Sequence, residues 1–449
     1  MPALINQPGT GSSEICQSTI RNRQSQKTMK RSPLIVIFTT VFIDLVGFGI
    51  VIPVLPFYAE GTVFNATPRT VGFLFASYSI MQLIAAPILG RLSDRYGRRP
   101  VLLISIIGTG IGFLILGLAT TLWMLFVGRI LDGITGGNIS TAQAYIADIT
   151  THEDRAKGMG LIGAAFGLGF IFGPAIGGVL SRWGIHVPFF FAAALCFGNA
   201  ILLYFTLPET VTKDHPARTP AGQGRGLMQL IRSLKQPRLG FVIAIYFFFV
   251  VAFSIMTTSF SLYTMFRFGY DAQHTGYLFA YVGVISVIVQ GGLIGKLVKR
   301  FGELPLVLVG ALSFALSLLA VPFVGPTVGG LLGLLVGGGV FALGNSLATP
   351  ALNSLASKSV GAAEQGTVLG VMQSAASLAR AVGPSLTAFL IHSSIAYMGR
   401  DGELHYMSDR SLFVTFWAGS AIMLVASLLT VHFMRTYTSE YSRRPAEAV

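Results

Sequence analysis

The sequence predicts an all-α integral membrane protein, with twelve transmembrane helices in two pseudo-symmetric bundles of six. Three observations carry that prediction. Of 449 residues 53% are hydrophobic and only 11% charged, with a mean hydropathy of +0.69, a balance foreign to water-soluble domains. Apolar runs of about 20 residues, the length that crosses a bilayer, recur at 33–59, 70–89, 100–119, 122–147, 158–181, 187–207, 239–264, 272–294, 304–324, 327–350, 364–391 and 411–433. Lysines and arginines crowd into the tails and the loops after even-numbered spans, whereas the odd loops hold only Arg69, Arg182, Arg267, Arg400 and Arg410. That bias predicts both termini in the cytoplasm, and the chain is expected in a plasma or inner membrane. The bias also accounts for the net charge of +13 without a nucleic-acid partner.

The chain divides accordingly into a disordered cytoplasmic tail at 1–32, a six-helix bundle at 33–207, a cytoplasmic linker at 208–238, a second bundle at 239–433 and a cytoplasmic tail at 434–449. Residues 1–30 are polar and precede a full-length span, so the first helix reads as uncleaved. Cys16 and Cys196 are the only cysteines, and they offer no disulfide framework.

The first span contains FIDLVGFGIVIPVLPFY, with Asp44, Gly47, Gly49, Pro53 and Pro56. Proline removes backbone donors and glycine admits a neighbouring helix, so a bend near the outer end and close packing are expected. An intramembrane acid is costly and marks function by default. Asp44 is therefore read as a protonation site, the alternative being a hydrogen bond that merely ties two helices.

The second and third spans are joined by GRLSDRYGRRP at 90–100. Gly90 allows close packing, Gly97 supplies the turn and Pro100 suits the first turn of a helix. This string resembles the cytoplasmic signature of the major facilitator superfamily. The resemblance implies a charged latch of Gly90, Asp94, Arg95, Gly97 and Arg98, with Arg98 paired to Asp148 at the foot of the fourth span.

The fourth span includes GRILDGITGGNISTAQAYIAD at 128–148, with Arg129 and Asp132 in its first half. On insertion scales an Arg or Asp at a helix centre costs about 2.5 to 3.5 kcal/mol. Three apart, the two share one helical face, which Gly133, Gly136, Ser140 and Gln143 continue. They form either a self-neutralised structural pair or a proton-handling one. The family resemblance implies proton transfer at Arg129, and Asp132 departs from the commoner uncharged residue.

The fifth span carries GLIGAAFGLGFIFGPAIGG, with Gly160, Gly169, Gly173, Pro174, Gly177 and Gly178. The string resembles the antiporter motif of the same superfamily; glycines a turn apart make a groove for close helix contact and the proline kinks the helix. The sixth span ends in LPET at 207–210, another family habit, and the linker holds Leu227, Leu230, Ile231 and Leu234 at amphipathic spacing, read as a short surface helix.

The second half repeats the first. TGYLFA at 275–280 echoes VGFLFA at 71–76, GKLVKRFGE at 295–303 echoes GRLSDRYGR, and Asn345 echoes Asn138. Gly370 to Gly383-Pro384 repeats the spacing of Gly160 to Gly173-Pro174, but Lys299 replaces Asp94 and the final glycine pair becomes Thr387 and Ala388. A duplicated six-helix unit places a substrate site near the midplane between the halves. The eleventh span sets Gln373, Ser377 and Arg380 on one face. Together with Asn138 and Gln143 these are the expected cavity residues. Phe189 to Phe191 and Phe247 to Phe249 suit a hydrophobic substrate, lipid contact being the simpler reading for most of them.

No acid lies deep in the last six spans, which leaves Asp44 and Asp132, with Arg129, as the proton-coupling candidates. Over about residues 33 to 435 the chain is similar to the twelve-helix drug/proton antiporters, especially the tetracycline-efflux-like branch, while lacking that branch's membrane acids in the third and ninth spans. The expected function is proton-coupled export of small hydrophobic or amphipathic compounds, by a protein working as a monomer in the bilayer. A facilitator or symporter of a small metabolite would share the fold. No phosphate loop, HExxH, nucleophile elbow or Cys/His cluster occurs, so neither enzyme activity nor a cofactor or metal is expected.

Overall fold

A backbone in lipid must satisfy its own hydrogen bonds, and helices do this within one segment. The computed structural model describes residues 31–61, 63–150, 155–211, 233, 236–360, 365–391, 397–398, 404–405 and 407–441. The tail before residue 31, the linker helix expected at Leu227, Leu230, Ile231 and Leu234, and the chain after residue 441 lie outside the described residues. The helices are α1 (Arg31–Glu60), α2 (Pro68–Tyr96), α3 (Arg98–Gly117), α4 (Leu122–Thr135), α5 (Ile139–Ile149), α6 (Arg155–Leu180), α7 (Val187–Thr206), α8 (Pro237–Phe268), α9 (Ala272–Ile288), α10 (Ile294–Phe301), α11 (Glu303–Ala320), α12 (Gly330–Lys358), α13 (Gln365–Leu390) and α14 (Asp409–Tyr441). Two short strands, Tyr397–Met398 and Leu404–His405, pair antiparallel before α14.

Among the described residues ten helices are long and apolar enough to cross a membrane. Large apolar side chains face outward, with Phe205 79%, Leu332 71% and Leu428 69% exposed, the surface a lipid solvent requires. The predicted spans outside this set are 122–147 and 364–391, the two richest in polar residues of interest. The first is not the continuous helix that the face from Arg129 to Gln143 assumed. It breaks into α4 and α5 at a 3₁₀ turn, Gly136–Asn138. Two glycines weaken the helix there, and Gly137 lies so close to α2 that a Cβ would stand 2.9 Å from the Ala86 nitrogen. The Gln82 amide donates to the Gly136 carbonyl at 3.0 Å and anchors the turn.

Local chemistry fixes several helix ends. Thr67 Oγ1 accepts from the Thr70 N–H at 3.3 Å and Pro68 opens α2. Between α2 and α3, Gly97 adopts φ +105, a conformation costly for any residue with a Cβ. The first N–H groups of α3, at Arg98 and Arg99, which have no partner within the helix, donate to Glu209 at 2.9 and 3.0 Å, so the LPET string caps a helix more than a hundred residues upstream.

Glycine sets the helix spacing. α6 lies against α1 where a Cβ on Gly173 would stand 2.6 Å from Gly49 Cα and 2.7 Å from the Val46 carbonyl oxygen. The repeat-related crossing of α13 on α8 has the same form, since a Cβ on Gly383 would meet Ser254 Cβ at 2.5 Å and the Val251 carbonyl oxygen at 2.9 Å. A second repeated pair joins the two halves of the chain: Gly72 of α2 lies on Ala388 of α13, and Gly276 of α9 lies on Gly178 of α6. The duplication faint in the sequence is thus explicit in the contacts. Gly160 and Gly163 differ from the crowded glycines later in the string, because a Cβ at either would meet nothing within 4 Å.

Gly173→Ala is therefore expected to lower stability by about 1 to 3 kcal/mol through overpacking. Gly160→Ala should be neutral or stabilising by up to about 1 kcal/mol from helix propensity. Thermal unfolding of the two variants in detergent checks this, and equal melting temperatures would contradict it.

Candidate functional site

Where α1, α2, α5 and α6 face α8, α12, α13 and the turn that follows α9 they leave a cavity of about 380 Å³, within the size range of small-molecule sites. One part of its wall is aromatic: Phe48, Phe75, Phe166, Phe170, Phe249 and Phe253. Phe170 meets Phe48 and Phe253 edge-on, at centroid distances of 5.6 and 5.5 Å, so the rings form a connected surface. The polar part presents neutral groups, Gln143, Tyr246, Gln290, Asn345, Asn353 and Gln373, beside Arg380.

Of the residues expected at the cavity, Gln143, Gln373 and Arg380 line it. Ser377 is buried and accepts from Arg380 Nη2 at 3.1 Å, while its own hydroxyl donates to the Gln373 carbonyl at 3.0 Å. Asn138 is not on the wall. It is buried in the 3₁₀ turn near Asp44, and its amide nitrogen has no hydrogen-bond partner among the described residues. The phenylalanine runs divide: Phe249 faces the cavity, Phe189 packs on Tyr58 at 5.3 Å between centroids, and Phe190 and Phe191 are exposed.

Gln290 was not singled out by sequence. It lies in a π-helical turn, Val289–Leu293, between α9 and α10, and its amide reaches Ser346 Oγ at 3.4 Å. Such turns concentrate at functional sites. The Gln290-Gly-Gly run was the available signal.

The two ends of the cavity differ. At the end farther from Arg98, Gly72 on Ala388, Gly178 on Gly276 and Gly283 on Ile171 bring the halves into backbone contact. Phe73 and Phe389 meet edge-on at 5.5 Å, and the Arg69 guanidinium covers both rings at 5.7 and 5.1 Å. Toward the Arg98 end the wall continues through Gly160, Gly163, Asn353 and Ser357, and Cβ positions at Gly160, Gly163 and Gly370 meet nothing within 4 Å. The cavity is shut at one end and extends toward the other.

The proton-coupling candidates lie behind this wall. Arg129 and Asp132 are 0% and 3% exposed, and Arg129 Nη1 donates to Asp132 Oδ2 at 2.7 Å. The Arg129 guanidinium stacks over Tyr78 at 4.2 Å, and the ring of Tyr78 packs on Phe48 at 5.2 Å, so aromatic rings separate the pair from the chamber. Tyr78 and Gln82 complete the cluster, the Gln82 amide donating to the Tyr78 hydroxyl at 2.9 Å. Neither was named by sequence. Asp44, also buried, stands beside Asn138 and makes no ion pair among the described residues.

The predicted latch assembles around Arg98, whose side chain is wholly buried. It bonds Asp148 at 3.1 Å, Asp94 at 2.5 Å and Ser93 Oγ at 2.6 Å. Thr210 Oγ1 also donates to Asp148 at 3.1 Å, and the Tyr145 hydroxyl donates to the Pro208 carbonyl at 2.9 Å. Gly90 lies near Ser140 Oγ, while Arg95 makes no ion pair among the described residues and covers Tyr96 at 5.4 Å.

Comparisons with known proteins agree with this architecture. A family model described as the Major Facilitator Superfamily matches residues 37–384. The chain is 32% identical over 422 residues to the class H tetracycline resistance protein of Pasteurella multocida, covering 92% of this chain and 98% of that protein. It is also 32% identical over 377 residues to multidrug resistance protein 2 of Bacillus subtilis (strain 168), covering 83% and 91%. Among solved structures, a bacterial homologue of the human lysosomal transporter Spinster, inward-facing and unoccupied, matches with a TM-score of 0.67 and 16% identity over 94% of this chain and 99% of that one, a likeness of fold.

Breaking a buried ion pair from one side leaves an uncompensated charge. Arg129→Met is expected to destabilise by about 3 to 5 kcal/mol, and Arg129→Met with Asp132→Leu to recover most of that loss. A double-mutant cycle by thermal unfolding tests it; a double variant no more stable than the single one would contradict the pairing account.

Proposed function

This chain belongs to the major facilitator superfamily, and from that premise we propose that it is a proton-coupled antiporter exporting small hydrophobic or amphipathic compounds by alternating access. The observation that carries the reading is the cavity between repeat-related helices, shut at one end by repeat-related contacts and reaching the other. Its relatives are transporters, and those named above are tetracycline and multidrug resistance proteins. In this reading α4 and α5 act together as the fourth span and α13 as the eleventh, which makes twelve spans in two bundles. The Arg98 end and both termini face the cytoplasm, as the basic loops direct.

Transport then requires the two halves to rock about the chamber. Parting Gly72 from Ala388 and Gly178 from Gly276 opens the far end. Closing on the Arg98 side brings together the helix ends that carry Gly160, Gly163 and Gly370, where open space now lies. The glycines of the antiporter string thus take two roles, fixed packing on α1 and a seam that opens.

Proton handling falls to Asp44 and to the Arg129–Asp132 pair. Asp132 already has a cation beside it, whereas Asp44 has an amide neighbour, so Asp44 is the acid freer to change its charge as the halves move. One proton falling through 100 mV releases about 2.3 kcal/mol, enough to sustain a more than tenfold substrate gradient. The proton gradient therefore suffices as driving force, with no cofactor, and one copy of the chain forms the whole pathway.

The test is reconstitution in liposomes with an internal pH dye and a panel of antibiotics, lipophilic cations and weak acids. Substrate-evoked proton movement is expected in the wild type, abolished by Asp44→Asn and reduced by Asp132→Asn. Substrate movement indifferent to the pH gradient and to both substitutions would leave a facilitator in place of an antiporter.

A further inference from the structure

The charges on the two halves are arranged unequally, and the inequality bears on the substrate. Among the described residues no carboxylate lines the cavity, and Arg380 is its one charged side chain. The intramembrane acids of the first half do not compensate it: Asp132 is bonded to Arg129, and Asp44 stands beside Asn138 off the wall. Arg380 makes none of the ion pairs present among the described residues. Its partners are the Ser377 hydroxyl at 3.1 Å and the Phe166 ring at 5.8 Å, neither of which carries a negative charge. A guanidinium offers five donors in a planar fork shaped for carboxylate, sulfonate or phosphate oxygens, and here most of that fork is free.

A partly buried cation in the membrane interior without a counter-charge is costly and is retained where a ligand supplies the missing charge. The rest of the wall says what accompanies that charge. Phe48, Phe166, Phe170, Phe249 and Phe253 offer flat apolar contact, and the neutral amides add orientation without selecting a sign. We infer that the chamber binds amphipathic organic anions, an acidic group on Arg380 and an aromatic or otherwise flat apolar body against the phenylalanines. The inference rests on the reading of this cavity as the substrate chamber, and narrows its substrates to one charge class.

Two consequences follow for the cycle. Export of an anion from a cell with a negative interior is favoured by the membrane potential itself. A bound anion and a carboxylate repel, so direct electrostatics at short range favours substrate and proton bound together. Exchange therefore requires the acids to respond to which end of the cavity is open. Their position behind the Tyr78 and Phe48 rings, in the half opposite Arg380, suits a response to helix movement.

The experiment uses the purified full-length protein and matched ligand sets with a common body, such as naphthaleneacetate, its amide and naphthylmethylammonium, repeated on biphenyl and phenanthrene bodies, with binding read by calorimetry. Carboxylates are expected to bind at least about tenfold more tightly than their amides and ammonium counterparts, the scale of a charge-assisted contact. Arg380→Gln should erase that preference, and Arg380→Lys should keep its sign. Ammonium members binding as well as the carboxylates, a preference that survives Arg380→Gln, or carboxylates of every body binding no better than their amides would each overturn the inference. Anion-selective binding without proton movement in liposomes would overturn the antiport reading alone. Proton-coupled movement of the ammonium members would overturn the anion assignment alone.

Discussion

Helices in lipid gain little by hiding apolar side chains from a solvent that is itself apolar, so they pack only as well as their surfaces permit close approach. In this protein that approach is backbone on backbone, and α6 is its centre. Gly169, Gly173 and Gly177 seat α6 on α1, at Leu45, Gly49 and Ile50, while the adjacent Gly178 seats it on Gly276 of α9. Consecutive glycines thus serve different partners, one in the same half of the chain and one in the other. A methyl group at either position would push helices apart, so the spacing of both halves depends on side chains that are absent.

The same helices carry charge, and each of three guanidinium groups resolves its cost differently. Arg98 is surrounded by Asp94, Asp148 and Ser93 at a helix end, where Glu209 also caps α3, so the cost is met locally and the joint between α2 and α3 is rigid. Arg129 has a single carboxylate, Asp132, and an aromatic face, Tyr78. Arg380 has a hydroxyl and a distant ring. The progression runs from a structural cation held between two carboxylates, through a pair near the proposed proton site, to a cation left to the contents of the chamber. Among the described residues the carboxylate partners fall from two to one to none toward the cavity, as expected where a ligand is the missing counter-charge.

A single layer of aromatic side chains separates the two tasks assigned to the membrane interior. Phe48 faces the chamber and its neighbour Tyr78 faces the Arg129–Asp132 pair. A shift of α1 or α2 that moves Phe48 must move Tyr78 with it, because the rings are in contact. Close packing turns such shifts into discrete rearrangements rather than continuous ones. The proposed coupling of proton and substrate has a physical carrier in that contact.

Much of this was legible in the residues. Run length gave the helices, because a bilayer demands about 20 apolar residues per crossing. Three-residue spacing put Arg129 and Asp132 side by side, because a helix repeats its faces locally. The glycine string announced close packing but not its partners, and it gave no hint that Gly160 borders open space while Gly173 is crowded by backbone. Sequence also missed the turn at Gly136–Asn138, which withdraws Asn138 from the wall toward Asp44, and the cap that Glu209 makes on α3. The reason is common to these cases. Span, sidedness and near-neighbour pairs follow from covalent order, but the rotation of each helix about its axis does not, because lipid and protein interior are both apolar and leave little periodic mark. Tertiary contact alone decided which face of each helix met its neighbour, and therefore that among the described residues the chamber would hold one cation and no acid.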